Sequence, residues 1–276
     1  DNKEAVGVLT EDGAAVRPLP FADMNALIQA SREALLAAVK GAAATLPLSA
    51  VTLLAPIPRP RQDVICLGIN YKAHTEEAAR YSSEAFTKER PIPINFSKRV
   101  TEAVAPEGDI ESHPGLVERL DYEAELAVII GKTAKNVMAE DAADYIFGYT
   151  VLNDVSARVL QTAHKQWYFG KSLDGFTPIG PCIVTADEIV FPPALHITAR
   201  VNGELRQDST TDLLITSIAD IIEELSSGMT LLPGTIISTG TPSGVGMGFD
   251  PPKFLKPGDV VECTIDGIGT LRNTVR

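Results

Sequence analysis

The 276-residue sequence predicts a β-rich α+β body with a small N-terminal α/β appendage. Short apolar runs recur from Val64 to the end of the chain, set apart by turn signals such as Asn202-Gly203, Lys256-Pro257-Gly258-Asp259 and Asp266-Gly267. These runs do not alternate regularly with helices, which argues against a doubly wound parallel sheet. The segment Ala55-Pro56-Ile57-Pro58-Arg59-Pro60-Arg61 favours extended backbone and interrupts helix, so it marks a boundary. The expected domains are residues 1–57 and 64–276.

Taken in order, residues 1–53 read as a short strand, a turn at Asp12-Gly13, and one helix capped by Asp23. Leu27, Ala30, Ala34, Leu35, Ala38 and Val39 lie on one face of that helix, and Gly41 ends it. Val64 to Gly68 is a strand, Tyr71 to Phe86 a polar helix, and Pro91 to Phe96 an extended segment. Further strands are expected at Leu126–Ile130, Ile146–Val151, Ile183–Val184, His196–Val201, Thr235–Ser238 and Val260–Ile265. A helix at Ser217–Leu225 would turn Ile218, Ile221, Ile222 and Leu225 inward.

Composition narrows the function classes. A chain of this length with 45% hydrophobic residues buries a core without disulfide or metal staples. The net charge of −12, from 24 basic and 36 acidic residues, lacks the basic face that nucleic-acid binding needs. No run approaches the roughly 20 apolar residues that span a bilayer. Asp1-Asn2-Lys3-Glu4 shows neither the basic start nor the apolar run of a signal peptide, and the missing initiator Met implies a trimmed or incomplete start. Cys66, Cys182 and Cys263 are odd in number and sit in apolar runs, so buried free thiols in a cytoplasmic protein are expected.

The chemistry concentrates at Asp121-Tyr122-Glu123-Ala124-Glu125, which leads into the apolar run Leu126-Ala127-Val128-Ile129-Ile130. On a strand, Glu123 and Glu125 share a face, with Asp121 beside them, while Tyr122, Ala124 and Leu126 face the core. Such a pair is either a solvated face or a cation site, because neighbouring carboxylates repel unless water or a cation separates them. The apolar run places the acidic end at the edge of a core and favours the cation. A third acid, Asp154, ends another apolar run. Three carboxylates without thiolates suit Mg²⁺ or Mn²⁺, with Ca²⁺ as an alternative occupant. The four histidines at 74, 113, 164 and 196 are scattered, and no zinc spacing occurs. The glycine-rich run Thr239 to Gly248 lacks the Gly-Lys-Ser/Thr ending of a phosphate loop and continues into Phe249-Asp250-Pro251-Pro252. No Gly-x-Ser-x-Gly elbow is present, which disfavours a serine nucleophile.

Five motifs then occur in one order: Gly-Ile-Asn-Tyr-Lys-Ala-His at 68–74, Asp-Tyr-Glu-Ala-Glu-Leu at 121–126, Asn-Asp-Val-Ser-Ala-Arg at 153–158, Gly-Lys-Ser-Leu-Asp-Gly-Phe-Thr-Pro-Ile-Gly-Pro at 170–181, and Thr-Gly-Thr-Pro-Ser-Gly-Val-Gly at 239–246. Together they resemble the fumarylacetoacetate hydrolase family over residues 64–276. The resemblance implies a mixed β-sandwich roll, usually a homodimer, and a divalent-metal enzyme acting on small 2-oxo or 1,3-diketo acids. It implies Glu123, Glu125 and Asp154 as metal ligands. His74, with Glu77 orienting it, becomes the base that activates water, on a lid at about 71–90. Lys171 becomes a substrate or oxyanion contact, and Gln161 a contact to substrate oxygen. Arg158 supports the acids by pairing or joins the substrate site, and the Gly240 amide and Thr241 hydroxyl approach a substrate carboxylate. The segment 71–90 carries many charged and small side chains and few large apolar anchors, so little burial is expected to hold it. One departure stands out: where relatives carry a Phe-x-Lys-Pro-like segment, this chain reads Phe96-Ser97-Lys98-Arg99.

The leading expectation is an acylpyruvase-type hydrolase that cleaves a C–C bond by enolate stabilisation. The alternative on the same scaffold is an oxaloacetate decarboxylase or a 2-oxo-dienoate isomerase/decarboxylase of aromatic catabolism. From another class, the alternative is a non-catalytic ligand-binding protein, which three intact acids and Lys171 argue against.

Overall fold

The computed structural model describes residues 3–42, 44–78 and 93–276. The N-terminal part contains β1 (Gly7–Leu9), β2 (Ala15–Pro18), α1 (Met24–Ile28), α2 (Arg32–Gly41) and β3 (Leu46–Pro47), and its strands form one sheet in the order β1-β2-β3. The single helix expected after Asp23 is two helices. Asp23 caps the first, its carboxylate accepting the Ala26 N–H at 2.7 Å. Ser31 caps the second, its hydroxyl accepting the Ala34 N–H at 3.2 Å. A serine oxygen that satisfies an amide three residues on starts a new helix in place of continuing the old one. Val6, Leu19 and Leu27 make a small core here, with Phe147 of the body against it.

The body opens with β4 (Val64–Gly68), α3 (Lys72–Ala78) and β5 (Ile94–Lys98). Only part of the expected helix and lid is seen, because residues 79–92 lie outside the described residues. What is described of it does not lack anchors: Tyr71, His74, Glu77 and Ala78 are all buried. The chain continues through β6 (Asp109–Ile110), β7 (Leu120–Asp121), β8 (Ala124–Ile130), β9 (Ile146–Asn153) and β10 (Ser156–Ala157). Then come α4 (Arg158–Ala163), α5 (Tyr168–Lys171), β11 (Ile179–Thr185), β12 (His196–Val201) and β13 (Glu204–Thr210). It closes with α6 (Ile218–Gly228), β14 (Ile236–Ser238), β15 (Val260–Ile265) and β16 (Gly269–Val275).

Six strands form a mixed sheet in the order β11-β9-β8-β14-β4-β5, and five form a second sheet in the order β13-β12-β15-β16-β6. β8 is buried on both faces. Leu126, Val128 and Ile130 join Ile197, Ala199, Val261, Cys263 and Ile265 of the second sheet in the main core. Ala127 and Ile129 join Val64, Cys66 and Leu152 of the same sheet in a separate cluster. Each fully buried Val, Leu or Ile side chain among these contributes roughly 1.5–3 kcal/mol. That double burial is why five consecutive apolar residues follow the acids. The β-rich α+β class expected from the sequence is the class observed, with few and short helices.

β13 and β16 were not expected, although both turns leading into them were. Asn202 and Gly203, at φ 52° and 80°, form the positive-φ turn of one hairpin, and Gly267, at φ 80°, turns the other. β13 buries only Gln207, a polar residue, so it carries no apolar alternation to read. Ser217 caps α6, and Ile218, Ile221, Ile222 and Leu225 lie on its buried face, as the spacing predicts. The cysteines are free, but Cys182 is only half-buried. Among the described residues no helix is long and apolar enough to cross a membrane.

Candidate metal centre and active site

The register of β8 with β9 assembles the acids. Ala124 pairs with Asn153, so the residues flanking that pair, Glu123, Glu125 and Asp154, meet at one end of the sheet. The Asp154 N–H donates to the Glu123 carbonyl at 2.9 Å and locks the corner. One carboxylate oxygen from each of the three lies within 4.8 Å of the others, and all three residues are buried. The solvated-face reading of this strand is therefore overturned. Asp121 is buried as well but serves elsewhere: it accepts the Gly246 N–H at 2.7 Å and the Met247 N–H at 3.0 Å.

Three buried cations interleave with these four acids. Lys171 Nζ donates to Glu123 Oε2 at 2.8 Å and to Asp154 Oδ2 at 2.7 Å. Lys98 Nζ donates to Asp154 Oδ1 at 2.7 Å and to the Val155 carbonyl at 3.1 Å. Arg158 pairs with Asp121 at 2.8 Å and with Glu123 at 2.6 Å, and also donates to Gln161 Oε1 at 3.2 Å. One negative charge is left without a cationic counterpart when all seven groups are ionised. The titration directions follow from this. Burial, reinforced by Asp154 and Glu123, pushes the Glu125 carboxyl well above the ordinary carboxylate range. Burial would raise Glu123 too, but Lys171 and Arg158 outweigh it and hold that carboxyl below its usual value. Burial works against the Lys171 ammonium, yet Asp154 and Glu123 raise its pKa.

Glu125 accepts the Ser238 hydroxyl at 2.6 Å and the Gly240 N–H at 2.9 Å. The Gly240 amide expected to meet a substrate carboxylate is thus committed to an acid of the cluster. The Thr241 hydroxyl donates to the Ala124 carbonyl at 2.9 Å and accepts from Gln207 Nε2 at 2.8 Å, so it braces the start of β8, though Thr241 also borders the pocket. His74 Nδ1 stands 2.9 Å from Glu77 Oε2, the i, i+3 contact expected from their spacing. The pocket beside the acids is lined by His74, Glu123, Glu125, Arg158, Gln161 and Lys171, with Phe96 and Trp167 as its aromatic wall. Gly68 makes room for that wall, since a Cβ there would stand 2.6 Å from Trp167 Cη2.

Lys98, Ser238 and Gln207 were missed. Lys98 lay in the segment noted only for its missing proline. Its strand alternation, with Ile94, Phe96 and Lys98 on one side, was the available signal. No single-sequence signal marks Ser238 or Gln207, because their value lies in partners distant along the chain: Glu125 for Ser238, and Ala124 and Thr241 for Gln207.

The family model for the fumarylacetoacetate (FAA) hydrolase C-terminal domain matches residues 63–276. Oxaloacetate tautomerase YisK of Bacillus subtilis is 51% identical over 229 residues, which is 83% of this chain and 74% of that protein. The structure of a fumarylacetoacetate hydrolase from Exiguobacterium antarcticum matches with a TM-score of 0.86 at 39% identity, covering 100% of this chain and 96% of that one. A 5-carboxymethyl-2-hydroxymuconate delta-isomerase from Mycobacterium smegmatis matches with a TM-score of 0.76 at 36% identity, covering 98% and 93%. With its five motifs, its two-sheet body and its buried acid triad, the chain belongs to the fumarylacetoacetate hydrolase family.

Proposed function

We propose that this protein is a divalent-metal-dependent enzyme that isomerises small 2-oxo acids between keto and enol or double-bond forms, with oxaloacetate decarboxylation as a close companion activity. The observation that carries this reading is the buried triad of Glu123, Glu125 and Asp154, two of whose acids, Glu123 and Glu125, line one pocket with Lys171 and His74. The donor set fits Mg²⁺ or Mn²⁺: three carboxylates with no thiolate or imidazole among them. The lysine contacts do not exhaust these oxygens, each of which can accept at more than one site. A bound divalent cation would supply Lewis acidity to a 2-oxo acid and stabilise negative charge on its enolate oxygen.

The chain's own residues do the rest. Lys171 and Arg158 present positive charge toward an anionic ligand, and Gln161 offers it a hydrogen-bonding amide. Phe96 and Trp167 limit its width and exclude water. His74, held through Nδ1 by Glu77, takes the proton from one substrate atom and returns it to the other, carbon to oxygen or the reverse, so that the isomerisation leaves the imidazole as it began. Two of the three relatives named above, a tautomerase and a delta-isomerase, support isomerisation over the carbon–carbon hydrolysis expected from the sequence, which the third, a fumarylacetoacetate hydrolase, keeps as a second reading. Hydrolysis of acylpyruvates is the second reading, and the buried His74–Glu77 pair favours it, because such a pair also suits water activation. We carry forward as part of the proposal the homodimer, the cytoplasmic location, and the division into 1–57 and 64–276.

Parallel assays with Mg²⁺ or Mn²⁺ should show oxaloacetate tautomerisation as the fastest reaction, ahead of oxaloacetate decarboxylation and of acetylpyruvate or fumarylpyruvate hydrolysis. Faster acylpyruvate cleavage would reverse the order of the two readings. His74→Ala should lower kcat by about 10²–10⁴-fold while cation affinity holds. Glu77→Gln should cause a smaller loss in the same direction, and unchanged kcat in both variants would remove the base from the mechanism.

The raised Glu125 carboxyl makes cation binding pH-dependent. A cation that takes Glu125 as carboxylate displaces its proton, so affinity should tighten as pH rises above the ordinary carboxylate range, with net proton release. Without cation, the sign for stability is opposite. The folded chain keeps a proton on Glu125 that the unfolded chain loses, so this group's contribution is full at low pH and fades as pH climbs. Calorimetric titration in buffers of different ionisation enthalpy checks the proton release; a pH-independent affinity would contradict it.

A further inference from the structure

Helix α3 and the glycine-rich loop meet at a single side chain. Glu77 Oε2 contacts His74 Nδ1 at 2.9 Å, and Glu77 Oε1 accepts the Gly244 N–H at 2.9 Å. The carboxylate rests against Gly248. A Cβ at that position would collide with Glu77 Oε1 and Cδ and would stand 2.7 Å from its Cγ; the three nearest atoms are all Glu77's. Gly248 is not among the positive-φ glycines, so its backbone does not itself demand glycine. Gly244 differs: at φ 101°, a Cβ there would run into the backbone of Arg206. The chain requires glycine at 244, whereas at 248 the requirement comes from Glu77.

We propose that Gly248 is a positioning residue that, with the Gly244 amide, forms a cradle seating the Glu77 carboxylate. Glu77 is then a two-sided connector, one oxygen on the loop and the other on the imidazole. The orientation of His74 is fixed by the loop as well as by helix α3. With Nδ1 engaged by Glu77, Nε2 is the nitrogen left to face a substrate. The same loop donates the Gly240 amide to Glu125 and the Gly246 and Met247 amides to Asp121. One run of ten residues therefore sets both a cation-binding acid and the partner of the base. The catalytic consequence rests on the proton-moving role proposed for His74; the cradle itself does not.

Gly248→Ala should stay folded, because the obstructing atoms are the far end of one side chain and can swing away. It should lower kcat by about 10²-fold, as expected for a misplaced catalytic group, while KM and Mn²⁺ affinity move far less. Exchange of the Gly244 amide should accelerate in Gly248→Ala and in Glu77→Ala, since both remove its acceptor. In the Glu77→Ala background the cradle is empty, so adding Gly248→Ala should change neither kcat nor Gly244 exchange. Wild-type Gly244 exchange in Gly248→Ala would overturn the cradle, as would an equal loss of kcat in both backgrounds. If His74→Ala and Glu77→Ala keep wild-type turnover while Gly248→Ala still frees the Gly244 amide, the cradle stands and the proposed base fails.

Discussion

Glu125→Gln should leave a folded protein that has lost its divalent cation and with it nearly all turnover. The glutamine retains a carbonyl oxygen where Glu125 Oε2 accepts the Ser238 hydroxyl and the Gly240 N–H, so the scaffold around it should persist. The carboxylate, one of three oxygen donors in the cluster, is gone. Cation affinity should fall at least about 100-fold, the upper end of what a lost supporting contact costs a metal site. The thermal midpoint without cation should hardly move, since Glu125 keeps its proton there and glutamine is the neutral counterpart of the protonated acid. Near wild-type affinity in Glu125→Gln would dismiss the triad as the binding site.

Lys98→Met carries the largest expected effect on stability. The Lys98 side chain is fully buried, and its ammonium holds Asp154 Oδ1, the Val155 carbonyl and the Lys171 carbonyl together. Methionine matches the length of the stem but strands all three acceptors. It also adds to a cluster whose carboxylates already outnumber its cations. Removing one partner of a buried ion pair costs about 3–5 kcal/mol because the other charge is left uncompensated. Urea unfolding should report a loss of that size without cation and a smaller loss with saturating Mg²⁺, because a bound cation restores positive charge beside Asp154. A loss below about 1 kcal/mol would mean that Lys98 is not what neutralises this corner.

How far the sequence could be read depended on whether a residue's meaning was local. Glu123 and Glu125 were legible because two positions on one strand share a face whatever the rest of the chain does. α6 was legible because Ser217 and four apolar residues at helical spacing are all within one segment. The break at Ser31 was hidden, since the apolar stripe continued across it and only the cap geometry decides. β13 was hidden because its one buried residue, Gln207, is there to hold Ala124 and Thr241 and not to fill a core. The glycine-rich run was read from its residues as a loop whose amides approach a substrate carboxylate, whereas the Gly240, Gly244, Gly246 and Met247 amides point at the chain's own acids. That assignment depends on strand order, which joins residue 125 to residue 240, and no local pattern carries strand order. Lys98 lay in plain sight, but a buried lysine is rare enough that only its Asp154 partner explains it.

Turnover of oxaloacetate between its enol and keto forms, followed in one sample through chelation and cation return, tests the proposed chemistry most directly. The activity should vanish in excess chelator and come back with Mg²⁺ or Mn²⁺, as expected if Glu123, Glu125 and Asp154 hold the ion that steadies the enolate. Undiminished tautomerisation in excess chelator would contradict it, and would leave the acid triad as a structural charge cluster balanced by Lys98, Lys171 and Arg158.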